Sequence, residues 1–100
     1  MTYTNNGLTS PAYMAPEMIL GSPSTPKVDM WALGVILYRF FTNKLPFESN
    51  NEFKLKKLIT ETEPSPLPST LSPFVRLIIE QLLNKDREKR PDSVELLNKE

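Results

Sequence analysis

Between Pro26 and Asn43 the sequence reads KVDMWALGVILYRFFT, with no proline to interrupt a helix. Val28, Met30, Trp31, Leu33, Val35, Ile36, Leu37, Tyr38, Phe40 and Phe41 would cover every face of that helix. Its longest apolar stretch, WALGVILY, falls well short of the roughly 20 residues that cross a bilayer. A helix apolar all round and too short for a membrane has to be enclosed by protein. It is therefore expected to be the central element of the fold, but the remaining helices, short or truncated, supply too few partners to surround it, so some of its apolar surface is expected to stay exposed.

The neighbouring segments are punctuated for helices. Pro16 suits a first helical position ahead of Glu17 to Leu20, and Gly21 ends that short element. Thr25 and Pro26 read as the N-cap and first position of the central helix, which runs to about Thr42 and closes at Asn43. A third helix is predicted from near Asn50, with Phe53, Leu55, Leu58 and Ile59 set against Lys54, Lys56 and Lys57. Beyond the loop EPSPLPST, Ser72 and Pro73 start a fourth helix through about Leu83, with Leu77, Ile78 and Leu82 as its inward stripe. Asp92 opens a last helix after Pro91. Gly34 permits close packing of a neighbour on the central helix. No segment alternates like a strand, so the fold class is all-α behind a long irregular start.

Composition excludes several kinds of function. The 100 residues carry 12 basic and 12 acidic side chains, so no net field draws the chain to nucleic acid or to an anionic membrane. Without cysteine there is no disulfide or thiolate chemistry, and a cytoplasmic setting is expected. Without histidine the usual zinc ligand and the commonest general base are missing. MTYTNNGLTS lacks the charged start and apolar centre of a signal peptide.

Four blocks then stand in order: SPAYMAPE, KVDMWALGVILY, LPF and NKDREKRP. Together they resemble the C-terminal half of a protein kinase domain, and the PAY of the first block resembles the Ser/Thr kinases. The LPFESNNEFKLKKLI and LPSTLSP segments are similar to calmodulin-dependent and autophagy-initiating kinases, with the NIMA-related group a further candidate. The resemblance implies the helical C-terminal lobe of the kinase fold, with residues 1–17 ending an activation segment and residues 18–100 forming the lobe. It further implies that Ser10, Pro11, Ala12 and Tyr13 form the wall that receives a protein or peptide substrate beside its Ser or Thr. Thr9 stands where the family usually has glycine, and Ser10 keeps the hydroxyl of the family's threonine.

Three charged residues carry structural expectations. Glu17 precedes Met18, Ile19 and Leu20, and a carboxylate buried there would be costly unless paired. By resemblance its partner is Arg90, whose planar fork holds a carboxylate bidentately. The ordinary reading is an acid at a helix start and a surface arginine. Asp29 sits in the first turn of the central helix, where an acid complements the dipole; by resemblance it accepts hydrogen bonds from a catalytic loop outside this chain. Thr4 and Thr9 lie where activation loops are commonly phosphorylated.

Phosphoryl transfer requires a Gly-rich loop, a strand lysine, a catalytic Asp with its Asn, and a metal-binding Asp. Gly7, Gly21 and Gly34 are the only glycines, and neither H-R-D nor D-F-G occurs. No residue here is expected to be catalytic, to bind a cofactor or to ligate a metal. Mg-ATP is expected only for the complete domain, whose N-terminal part becomes the expected partner, encoded upstream of Met1. The alternative is a non-catalytic helical interaction module or pseudokinase-like fragment.

Overall fold

The structure, a computed structural model, describes residues 11–97. The expectations for Thr4, Thr9 and Ser10 fall outside them. Five helices follow in order: α1 (Pro16–Ile19), α2 (Lys27–Thr42), α3 (Glu52–Glu61), α4 (Pro73–Leu82) and α5 (Ser93–Leu97). Short 3-10 turns occupy Pro11–Tyr13 and Arg87–Lys89. There is no strand among the described residues, so the chain is all-α there.

Local chemistry explains the boundaries. Pro16 takes the first position of α1, and Gly21 ends it at a φ of 85°, where a side chain would be strained. The Thr25 hydroxyl accepts the Lys27 amide at 3.2 Å, but the cap position of α2 falls on Pro26, one residue later than expected, because α2 begins at Lys27. At the other end Asn43 adopts the left-handed conformation, φ 60°, and donates its amide to the Arg39 carbonyl at 2.7 Å. Asn51 and Ser72 cap α3 and α4 by accepting the Lys54 and Val75 amides, each at 3.1 Å. Asp92 and Glu95 form a reciprocal capping box at α5, with bonds of 2.8 and 2.9 Å.

The core collects on α2. Trp31, Val35 and Tyr38 are buried there, together with Phe47, Leu55, Ile59, Ile79 and Leu83 from the surrounding segments. Helix α4 lies closest to α2, and Gly34 marks the contact. A Cβ built on Gly34 would stand 2.8 Å from the Leu82 Cβ and 3.0 Å from the Leu83 Cδ2. The inward stripe of α4 corrects the sequence expectation, since Ile79, Leu82 and Leu83 are buried whereas Leu77 is 49% exposed. Helix α4 is apolar at Phe74, Val75, Leu77, Ile78, Ile79 and Leu82, which leaves more than one possible stripe; Leu82 belongs to both the expected and the observed one, and the packing of Leu83 beside it on Gly34 goes with the stripe that buries Ile79 rather than Leu77.

The enclosure of α2 is one-sided. Ile36, Phe40 and Phe41 are exposed, Phe40 by 77%, and the two phenylalanine rings meet edge to face at 5.1 Å. Among the described residues no helix is long and apolar enough to cross a membrane.

Candidate substrate wall and its anchor

The Pro11–Tyr13 turn is held by the Met14 amide, which donates to the Pro11 carbonyl at 3.0 Å. Ala12 is buried on α3 and Ala15 is wholly enclosed, so the segment lies against the lobe rather than extending from it. Ala12 shares an open hollow of about 580 Å³ with Leu45, Phe47, Glu48, Ser49, Asn50 and Leu55. Its lining mixes apolar residues with the polar residues Glu48, Ser49 and Asn50. Half-buried Tyr13 accepts a hydrogen bond from Arg39 at 3.2 Å through its hydroxyl, which ties the turn to the last turn of α2.

Immediately beyond, α1 turns Glu17 inward. The structure brings Glu17 and Arg90 together across 73 positions of sequence, with both guanidinium ends donating to the carboxylate at 2.9 and 3.0 Å. Glu17 is 7% exposed and Arg90 1%. Stripping water from two ions is costly, and the remaining Arg90 donors offset that cost. Arg90 Nε donates to the Asn84 carbonyl at 3.0 Å, and a terminal nitrogen donates to the Lys27 carbonyl at 2.8 Å. The guanidinium carbon lies 5.2 Å from the Trp31 ring centroid, a cation–π contact. Lys27 in turn donates its ammonium to the Arg90 carbonyl. Burial opposes the charged form of Glu17, but the hydrogen bonds from Arg90 and its own backbone, with the charges of Arg90 and Arg87, hold its pKa below 4.5.

The pair therefore fastens three places at once: the start of α1 beside the turn, the start of α2, and the 84–90 segment after α4. Arg87 adds a bond to the Pro23 carbonyl at 2.8 Å, locking the loop between α1 and α2 to the same segment. Asp29 is half-buried in the first turn of α2, its amide donating to the Pro26 carbonyl at 3.1 Å.

Sequence reasoning passes over Lys27, Arg39 and Lys85. Lys85 donates to the Ile59 carbonyl at 2.5 Å and sits 4.5 Å from the Phe47 ring centroid, beside the Trp31–Phe47 stack. Burial pushes its ammonium below the ordinary value, against the opposing pull of Glu63. The only signal for Arg39 is a basic residue in a last helical turn, which the helix dipole alone explains. The Trp31 indole N–H is buried without a hydrogen-bond partner among the described residues.

Among the described residues no group of three or more His, Cys, Asp or Glu could hold a metal ion.

Comparison with known proteins places this arrangement. A family model described as Protein kinase domain matches residues 2–100. The chain is 40% identical over 88 residues to "Serine/threonine-protein kinase ULK3" of Xenopus laevis, covering 86% of this chain and 19% of that protein. It is 33% identical over 95 residues to "Probable serine/threonine-protein kinase nek2" of Dictyostelium discoideum, covering 95% of this chain and 23% of the relative. "G2-specific protein kinase nim-1" of Neurospora crassa is 35% identical over 89 residues, 89% of this chain and 10% of that protein. The chain thus spans less than a quarter of each. A buried arginine–carboxylate clasp behind the Pro11–Tyr13 turn, described residues without a strand and a family match along nearly the whole length agree: the chain belongs to the protein kinase family and carries the helical C-terminal-lobe portion of a Ser/Thr kinase domain.

Proposed function

We propose that this chain supplies the substrate-docking and structural part of a Ser/Thr protein kinase domain, whose reaction is phosphoryl transfer from ATP to Ser or Thr in proteins. Residues 1–17 end its activation segment, with Thr4 and Thr9 as phosphorylatable hydroxyls, and residues 18–100 form the helical lobe. Ser10, Pro11, Ala12 and Tyr13 form the wall beside the acceptor residue. Mg-ATP and the catalytic groups belong to the N-terminal part of the domain, which covers the open face of α2 and donates backbone hydrogen bonds to Asp29. The chain by itself is inactive. A cytoplasmic setting accords with a sequence that has no cysteine.

The observation that carries this reading is the bidentate Glu17–Arg90 pair, which fixes the residues just after the turn and so gives Pro11–Tyr13 one position on the lobe. A wall that receives a peptide has to be preorganised, because ordering it on binding would subtract from affinity.

The test is a chimera in which this chain replaces the matching 88 residues of the Xenopus laevis relative. The expected result is phosphorylation of a Ser or Thr peptide by the chimera, none by the chain alone, and no saturable Mg-ATP binding to the chain in calorimetry. Ala12→Arg should raise the KM of the chimera for peptide while leaving its KM for ATP unchanged. Tyr13→Ala, at a half-buried position, gives the same readout should Ala12→Arg fail to fold. Labelled phosphate transferred by the chain alone, or unchanged peptide KM in both variants, would overturn the reading.

A further inference from the structure

A second concavity, sharing no residue with the hollow at Ala12, lies between α4, the end of α2 and the loop that joins α3 to α4. Its volume is about 330 Å³, within the range of sites that take a small ligand or one or two side chains. Tyr38, Ile79 and Leu83, each less than 5% exposed, contribute to its lining with half-buried Leu67. Two exposed acidic residues, Glu63 and Glu80, also line it, with the loop residues between Glu63 and Leu67.

The loop wall is fixed before anything binds. Pro64, Pro66 and Pro68 restrict its backbone. The Tyr38 hydroxyl donates to the Ser65 carbonyl at 2.8 Å, and the Ser65 amide donates to the Pro46 carbonyl at 3.3 Å. A rigid wall removes the ordering cost that weakens binding to flexible loops.

The charge is left to be matched from outside. Neither Glu63 nor Glu80 forms an ion pair with another described residue. Lys85 feels the Glu63 charge, but its ammonium is committed to the Ile59 carbonyl and the Phe47 ring. Arg76, one turn before Glu80 on α4, does not close the gap either. An acidic or phosphorylated segment would meet repulsion here. A purely apolar segment would strip water from the carboxylates and leave them unmatched.

We propose that this groove docks a short segment of a partner protein presenting Lys or Arg beside an apolar residue, the apolar group on the Tyr38, Ile79 and Leu83 floor and the cation between Glu63 and Glu80. The site is separate from the Pro11–Tyr13 wall, so it stands or falls independently of the kinase reading.

Fluorescence anisotropy tests it with the full chain and a fluorescein-labelled peptide, Leu-Arg-Ala-Arg-Leu, alongside the same peptide with citrulline in place of arginine. Citrulline keeps the shape of arginine and removes its charge. Saturable binding of the arginine peptide is expected, with Kd raised at least tenfold by the double variant Glu63→Gln/Glu80→Gln and to a similar degree by citrulline. Leu67→Asp should also weaken it. Glu88→Gln, at an exposed position outside the groove, should leave Kd unchanged. Both groove glutamates are exposed, so the helical circular dichroism of the glutamine variants should match that of the parent. No saturable binding, equal binding of the citrulline peptide, tighter binding of a phosphorylated or wholly apolar peptide, or an equal loss in Glu88→Gln would each overturn the proposal.

Discussion

The two sides of α2 reverse the usual arrangement of polar and apolar groups. On one side an arginine is 1% exposed; on the other a phenylalanine is 77% exposed. The buried charge is stable because its partners are complete: a bidentate carboxylate, two backbone carbonyls and an aromatic face. On the open side the ring of Phe40 meets that of Phe41, which is itself 40% exposed, and is otherwise left largely to solvent. Burial by itself therefore says little about polarity here; what separates the two sides is whether each group's partners are supplied within the described residues.

The largest way to break that contrast is to leave a charge behind on the closed side. Arg90→Ala should destabilise the fold by about 3 to 5 kcal/mol, as removal of one member of a buried pair does. Urea unfolding measures it, and the double variant with Glu17→Ala should lose far less than the sum of the single losses. Additive losses would show that the two residues act separately. The same pair sets an acid limit. Because Glu17 has a folded pKa below its unfolded value near 4.5, its contribution is present above that pH and is lost as pH falls through the folded value. Glu17→Gln should flatten that part of the pH–stability profile, and an unchanged profile would assign acid unfolding to other carboxylates.

A smaller effect probes the packed surface between α2 and α4. Gly34→Ala places a methyl group 2.8 Å from the Leu82 Cβ, and overpacking of this kind costs about 1 to 3 kcal/mol. A cost near zero would mean that α4 moves aside freely. The smallest effect is expected on the open side. Phe40→Ser should change the stability of the chain by less than about 0.5 kcal/mol, as exposed substitutions do, while reducing the fluorescence of a bound hydrophobic dye. A loss as large as that of Gly34→Ala would mean that the open face is covered in solution.

The helical frame was legible in the sequence because its punctuation is local. Pro16 and Gly21, Thr25 and Asn43, Ser72 and Pro73, and Asp92 each act through their own backbone or a neighbouring amide, so the residue type nearly determines the boundary. The start of α3, expected near Asn50, falls at Glu52 behind an Asn51 cap, where two adjacent asparagines offer the same chemistry. The Glu17–Arg90 partnership was legible only through family resemblance, since nothing in the spacing selects Arg90 over Arg87 nearby. The bond from Arg39 to Tyr13 and the seat of Lys85 on Phe47 depend on how helices cross, which no window of sequence contains. Leu77 misled for a related reason: an apolar surplus on α4 fits two stripes, and the absent side chain of Gly34 on another helix decides between them.

Because the Glu17–Arg90 clasp joins residues 73 positions apart, it also bears on the order of folding events. Its enthalpy is available only after α2 and α4 have packed and the 84–90 segment has turned back, whereas capped helices form from contacts a few residues apart. The clasp is accordingly expected to be unmade at the folding transition state. Arg90→Ala should then speed unfolding by nearly the whole of its equilibrium effect and leave the folding rate almost untouched, so that this arginine acts chiefly on the lifetime of the native state.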